Sequence, residues 1–286
     1  VFSDGTLTIA ATTSLYLMGV NSAFNLGDGT VISAARVGAN GGVIVPGVYL
    51  KAADATLNFN SARLTAGAAG TLVSGQGTVN LNGPAYISTA FASQIPTLIA
   101  GNGSLAKEGA GTLTLTGNNT FGGGTVINDG TLVLSGINTG EGATMVSTGR
   151  LVLVTGGACS NSAVTVQDGA ALEVDVARPD GQWSCAGLTF TGATAAVDLV
   201  LGYYTPTSTA PLRVRGNLAF DNAPVVNIYA NTSIPPGIYP LIRYGSVSGT
   251  PPASPTAMPP GMWASISNNT TALTIDLVVT NGCGIK

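Results

Sequence analysis

Histidine is absent from the 286 residues, and charge is scarce: Asp, Glu, Lys and Arg make up 8% of the chain, against roughly 25% in an ordinary soluble domain. Without an imidazole there is no Ser-His-Asp or Cys-His centre and no His-ligated metal. Ten Lys and Arg residues cannot neutralise many phosphates, so nucleic acid is not an expected partner. Only three cysteines occur, Cys159, Cys185 and Cys283, and none stands in C-x-x-C spacing, which argues against a zinc or redox site. No run of about 18 apolar residues is present, so no helix is expected to span a bilayer, although mean hydropathy is positive at +0.39. A D-x-[DN]-x-[DN]-G calcium loop and a phosphate loop are both missing. No cofactor and no metal is expected.

What remains is Gly, Thr, Ser, Asn and aliphatic side chains. Forty residues are Gly, and 45% are hydrophobic. A surface built from these groups, with no histidine, changes charge little between about pH 5 and 8. It suits an exposed exterior. The chain opens Val1-Phe2-Ser3-Asp4-Gly5 without Met or a basic-then-apolar leader, which reads as a mature exported protein after signal-peptide removal, or as a fragment. In an exported chain an odd cysteine count suggests a bridge, Cys159–Cys185, with Cys283 left for an intermolecular bond; three buried thiols are the alternative.

One phrase recurs: Gly, usually Thr, then alternating apolar and polar residues. It occurs at Gly5-Thr6-Leu7, Gly29-Thr30-Val31, Gly70-Thr71-Leu72, Gly77-Thr78-Val79, Gly111-Thr112-Leu113, Gly130-Thr131-Leu132, Gly149-Arg150-Leu151 and Gly169-Ala170-Ala171. From Gly111 to Gly169 the phrase returns at an even spacing of about 20 residues, within the range of a structural repeat. Alternation of period 2 means strands with one buried face. A period near 20 with Gly at the corners means one solenoid coil per repeat, each coil supplying its neighbours with an interior that neither could bury alone. The whole chain would then make about 12 to 14 coils at that period. Asp4-Gly5, Asp28-Gly29, Asp129-Gly130 and Asp168-Gly169 read as the turns, with hairpins as the alternative. Leu57-Asn58-Phe59-Asn60 returns as Val79-Asn80-Leu81-Asn82, which predicts outward amide ladders, Asn58 with Asn80 and Asn60 with Asn82.

Residues 105–132 resemble the passenger-associated transport repeat, also called the autotransporter-associated beta-strand repeat. Its pattern K-x-G-x-G-T-L-x-L-x-G-x-N-T-[YF]-x-G-G-T-x-[VI]-x-x-G-x-L is met by Lys107, Gly109, Gly111, Thr112, Leu113, Leu115, Gly117, Asn119, Thr120, Phe121, Gly123, Gly124, Thr125 and Gly130. A looser similarity to the closing segment of exported proteins carrying these repeats covers 235–242, 263–266 and 273–277. The resemblance implies an all-β, right-handed parallel β-solenoid (β-helix) displayed extracellularly at a bacterial surface, and it brings no catalytic residues. No membrane β-barrel is recognisable here, as the family's autotransporters carry. Eleven of the fifteen prolines lie between Pro206 and Pro260. Proline cannot donate to a ladder, so 1–202 is read as solenoid and 203–286 as a Pro-rich, irregular terminal β region that continues or caps it.

Three functions follow as expectations. The first is a structural fibre subunit, its own partner in head-to-tail pairing of strand-like solenoid ends at 1–10 and 273–280. The second is a monomeric adhesin passenger that binds a host cell or glycan, with Tyr203, Tyr204, Tyr229, Tyr239 and Tyr244 as a candidate aromatic strip. The third is a polysaccharide-active enzyme. Glu173 and Asp175 alternate with Leu172, Val174 and Val176 and should face outward, with Asp198 one coil above Asp175. Solvated side chains are the plainer reading, and no enzyme is expected.

Overall fold

A computed structural model describes residues 6–9, 14–17, 23–26, 31–34, 47–50, 53–66, 69–177, 181–202, 209–231 and 233–280. The chain divides into two compact units, Val1–Thr144 and Met145–Lys286. No helix occurs among the described residues, and strand follows strand throughout. Each recurrence of the Gly phrase is followed at once by a strand. These strands fall in different sheets, so the phrase marks a corner and not one fixed side of the coil.

In the first unit six strands stack in parallel in the longest sheet: Thr6–Ile9, Val31–Ala34, Ala62–Ala66, Ala85–Thr89, Leu105–Glu108 and Thr125–Ile127. A second side holds Gly70–Thr71, Ser93–Ile95, Thr112–Leu115 and Thr131–Leu134. A third holds Ala23–Leu26, Thr56–Phe59, Thr78–Leu81 and Leu98–Gly101. A shorter stack joins Ser14–Leu17, Gly47–Leu50 and Val73–Gly75. The fold is a parallel β-solenoid, and these pairings replace the hairpin alternative. In the second unit one sheet holds Cys159–Val166, Trp183–Phe190, Leu212–Phe220 and Gly237–Gly249 in parallel. Its companion sheet holds Arg150–Val154, Ala171–Asp175, Ala196–Gly202 and Val225–Ala230.

The count of 12 to 14 coils is corrected, among the described residues, to six rungs in the first unit and four in the second, with the strand Thr144–Val146, which spans the division, counted in neither. In the first unit Thr6 lies beside Val31, Val31 beside Arg63, Ala62 beside Ala85, Ala85 beside Leu105 and Leu105 beside Thr125. The turn from Val31 to Arg63 is the longest of these, and the turns settle to about 20 residues, the short end of the solenoid range, only from Ala85 onward. In the second unit Cys159 lies beside Cys185, Trp183 beside Leu212 and Leu212 beside Ile242, and each of these turns is longer than the tight ones. The period near 20 belongs to the tightest coils alone; elsewhere loops lengthen the turn without changing the strands.

The core is a set of apolar columns. Leu57, Val79 and Ile99 stack on one another and are fully buried, as do Leu113 over Leu132 and Leu115 over Leu134. In the second unit Val166, Phe190 and Phe220 form a column in which the two phenyl rings stack at 5.9 Å. On the outer face Asn80 Nδ2 donates to Asn58 Oδ1 and Asn82 Nδ2 to Asn60 Oδ1, both at 2.9 Å. The amide ladders therefore lie where the alternation placed them.

The second unit closes differently from a plain solenoid. After Gly237–Gly249 the chain turns back, and Thr274–Thr280 pairs antiparallel with it on one side and with Trp263–Asn269 on the other. The strand expected at 273–280 as a free pairing end is thus enclosed between two neighbours. The Pro-rich segment covers another edge: Ile228 N donates to Ala257 O at 2.9 Å, and Thr256 N to Val226 O at 2.7 Å.

Close stacking explains the glycines of the repeat. A Cβ on Gly123 would stand 2.4–2.6 Å from the backbone of Gly103 and Ser104 in the coil below, whereas one on Gly122 would meet nothing within 4 Å. Urea titration should therefore find Gly123→Ala destabilised by about 1–3 kcal/mol, the usual cost of overpacking. Gly122→Ala should stay within about 0.5 kcal/mol of the parent.

Candidate functional site

The repeat residues assemble into a polar corner inside the first unit. Leu113 and Leu115 face inward, and Thr112 stacks beside Thr131 on the outside. Asn119 is buried at the corner that follows. Its Oδ1 accepts from Ile99 N of the coil below at 3.0 Å, and its Nδ2 donates to Asn138 Oδ1 of the coil above at 2.9 Å. Asn138 passes the contact on to Gly136 O at 3.1 Å. One side chain thus satisfies backbone that the corner leaves unpaired and ties three coils together. Gly117 must be small, since a Cβ would lie 2.9 Å from Thr97 O. Thr120 N donates to Ile99 O at 2.8 Å, Phe121 is half-buried, and Thr125 is buried. Gly109, Gly124 and Gly130 have positive φ; at Gly130 the value is 65°, and Asp129 Oδ1 accepts from its N–H at 2.7 Å. Gly111 packs against Phe91 of the coil below.

The repeat pattern contains Lys107 but does not say where its side chain goes. The residue is 0% exposed, in the inward column between Ile87 and Ile127. Its stem takes the place of an isoleucine. Nζ donates to Glu108 O at 3.0 Å, Gly109 O at 2.6 Å and Asp129 O at 3.0 Å, which are corner carbonyls of two coils. Burial pushes this ammonium down to about 8, against the pull of the Asp129 carboxylate. The alternation Leu105-x-Lys107 already carried the signal for an inward lysine.

The acidic residues do not stack as the spacing suggested. Asp198 lies beside Glu173, and Asp175 lies beside Val200, because this turn is longer than the separation of Asp175 and Asp198 along the chain. Arg150 reaches over both carboxylates: Nη1 donates to Glu173 Oε2 at 2.7 Å and also to Asp198 Oδ2. Asn227 Nδ2, from the next rung, donates to Asp198 Oδ1 at 2.7 Å. Asp198 is left 2% exposed. Burial opposes the charge of Arg150, but its bonds to Asp198 and the two carboxylate charges hold the guanidinium above its usual range. Burial pushes the Glu173 carboxyl up against the charge of Arg150. Chemically this is a cross-strand clamp in which one guanidinium spans two carboxylates.

Cys159 and Cys185 lie side by side in an inward column that continues through Val214 and Tyr244. Both are buried free thiols, pushed up to about 12 by burial. Cys283, Tyr203 and Tyr204 lie outside the described residues. Of the other tyrosines, Tyr239 and Tyr244 are buried, with hydroxyls bonded to Pro235 O and Asn268 Oδ1, and no strip forms among the described residues. Tyr229 is 47% exposed and lines a cleft of about 410 Å³ with Val200, Ile228, Met258, Pro259 and Pro260.

Replacing Lys107 with Met should cost about 2–3 kcal/mol in denaturant titrations, because buried carbonyls lose their donor. Between about pH 8 and 10.5 the unfolded chain holds a proton that the folded chain has released. Stability of the parent should therefore rise with pH across that window, by at most about 1.4 kcal/mol per unit, and Lys107→Met should lack the rise.

No curated protein is significantly similar to the chain. The sequence model of the passenger-associated-transport-repeat family matches twice, over residues 105–134 and 129–153. The second match contains Gly136-Ile137-Asn138-Thr139, which repeats the corner of Gly117-Asn118-Asn119-Thr120. The family's description ties this repeat to passenger-associated transport. Residues 105–153 are two overlapping passenger-associated transport repeats built into a parallel β-solenoid.

Proposed function

We propose that this chain is a non-enzymatic, surface-displayed scaffold that works as a monomer and presents a binding face outside the cell. The observation that carries this reading is how the second unit ends: its last parallel strand, Gly237–Gly249, is covered by antiparallel strands, and the sheet ends on Trp263–Asn269. An open parallel edge invites another chain to pair. Here the strand Thr274–Thr280 is enclosed on both sides, and the segment around Ala257 lies along Val225–Ala230. A scaffold that polymerised head-to-tail would use such an edge. The non-enzymatic reading is supported by the carboxylates: Glu173 and Asp198 are engaged by Arg150 and Asn227, which removes them from acid–base work.

The fibre reading retains one supporting observation. Thr6–Ile9, Ser14–Leu17 and Ala23–Leu26 each stand at the end of their sheets among the described residues. Light scattering coupled to size exclusion, with negative-stain microscopy of the same fractions, separates the two. The proposal expects a single species of monomer mass at high concentration. Unbranched filaments would transfer the assignment to a fibre subunit.

Export also exposes the cysteines to oxidants. We propose that Cys159 and Cys185, adjacent in register, give up two protons and two electrons to a disulfide oxidant and form a staple between coils. Mass spectrometry of non-reduced peptides from secreted material should find the 159–185 link. Two alkylatable thiols at those positions would remove it.

A further inference from the structure

The second unit carries a concentration of positive charge that nothing above uses. Only ten Lys and Arg residues occur in the chain, yet three, Arg213, Arg215 and Arg243, project from two adjacent strands of one sheet. All three are exposed, and none has an ion-pair partner among the described residues. Arg213 and Arg243 are direct neighbours in register. Like charges placed opposite one another on paired strands destabilise the sheet. In a chain so poor in charge, a chance pairing of two arginines has little to recommend it, and an anionic ligand would convert the repulsion into binding.

The surroundings narrow the ligand. The register shifts between Val214 and Asn217, and this bulge turns Arg215 and Gly216 outward together. Bulges commonly re-aim side chains in this way. The neighbouring backbone at Gly245 and Ala186 approaches so closely that a Cβ on Gly245 would stand 2.3 Å from Arg215 O, and one on Gly216 2.7 Å from Ala186 O. Arg215 therefore rises from a floor without large side chains. Along its far side lie Asn217, Ser246 and Ser248, joined by Asn217 Nδ2 to Ser248 Oγ at 3.0 Å and Ser246 Oγ to Asn217 Oδ1 at 3.1 Å. Hydroxyl and amide groups beside guanidinium forks match sugar hydroxyls beside carboxylates, which arginine binds through two parallel hydrogen bonds. Arg213, Arg215, Arg243, Asn217, Ser246 and Ser248 themselves offer no aromatic platform for bases and no apolar side chain to enter a lipid layer.

We propose that the outward face formed by Arg213, Arg215, Arg243, Asn217, Ser246 and Ser248 binds a carboxylated polysaccharide. This rests on the displayed-scaffold reading only for where the ligand is met; the binding itself is a property of the purified chain in any oligomeric state.

The test is affinity electrophoresis and calorimetry of the whole chain with polygalacturonate, against neutral dextran and phosphatidylglycerol vesicles. Polygalacturonate should bind at low salt and weaken as salt rises, while dextran and vesicles should not bind. Each Arg→Gln change at 213, 215 or 243 should weaken binding by about tenfold. The triple Arg→Lys variant keeps the charge but loses the fork, and should recover only part of the affinity. Arg→Gln relieves repulsion on an exposed face, so its melting midpoint should match or exceed that of the parent, which separates lost binding from lost folding. Absence of polygalacturonate binding at about 1 mM uronate, binding unchanged in the triple Arg→Gln variant, or equal binding of dextran or vesicles would each overturn the proposal. Sizing the same samples tests the monomer reading independently.

Discussion

In-register stacking of inward aliphatic side chains is the constraint on which the rest depends. A single coil has too little interior to exclude water, so Leu113 is buried only because Ser93 and Leu132 lie directly below and above it. Stability in such a fold is a sum of contacts between nearest neighbours. Whatever keeps adjacent coils at strand spacing therefore acts on the whole stack. Glycines at the corners do so by omission: at Gly123 there is no room for a methyl group between one coil and the next.

Polar groups enter this interior only where the corner requires them. A turning backbone leaves carbonyls and amides with no ladder partner, and water cannot reach them. Asn119 and Lys107 answer that need from opposite directions, one by bridging coils with its amide and the other by sending an ammonium into a column of isoleucines. The repeat motif is thus a recipe for a corner, which accounts for its lack of catalytic groups. Chemistry directed outward is left to the faces of the sheets, where alternation frees every second residue. There the second unit varies from rung to rung, from the clamp in which Arg150 spans Glu173 and Asp198 to Arg213, Arg215 and Arg243, which have no ion-pair partner among the described residues.

Much of this was legible in the sequence because the code is local. Alternation placed Leu57, Phe59, Val79 and Leu81 inside and their asparagines outside, and the register agrees residue for residue. The coils near 85–134 were legible in length because almost nothing but strand and corner fills them. The other turns were not, since a loop of any length can be inserted at a corner without altering either strand. That is why Asp198 meets Glu173 and not Asp175. The closing of the second unit escaped for a different reason. Leu273–Thr280 is strand-like in sequence, but period 2 carries no direction, and only the pairing with Gly237–Gly249 makes it antiparallel. At the candidate site the glycines and Asn119 were marked by the repeat, whereas the burial of Lys107 had to be inferred against the ordinary preference of lysine for water.

Gln94, Thr114 and Val133 occupy one outward column on three successive rungs, and their spacing is a direct measure of the stacking. Paired spin labels measured by electron paramagnetic resonance give that spacing. Parallel stacking predicts that the 94/114 and 114/133 pairs share one backbone separation of about 5 Å and that the 94/133 pair is about twice as far apart. A 94/133 pair as close as its neighbours, or a 114/133 pair beyond the range of adjacent strands, would contradict the solenoid.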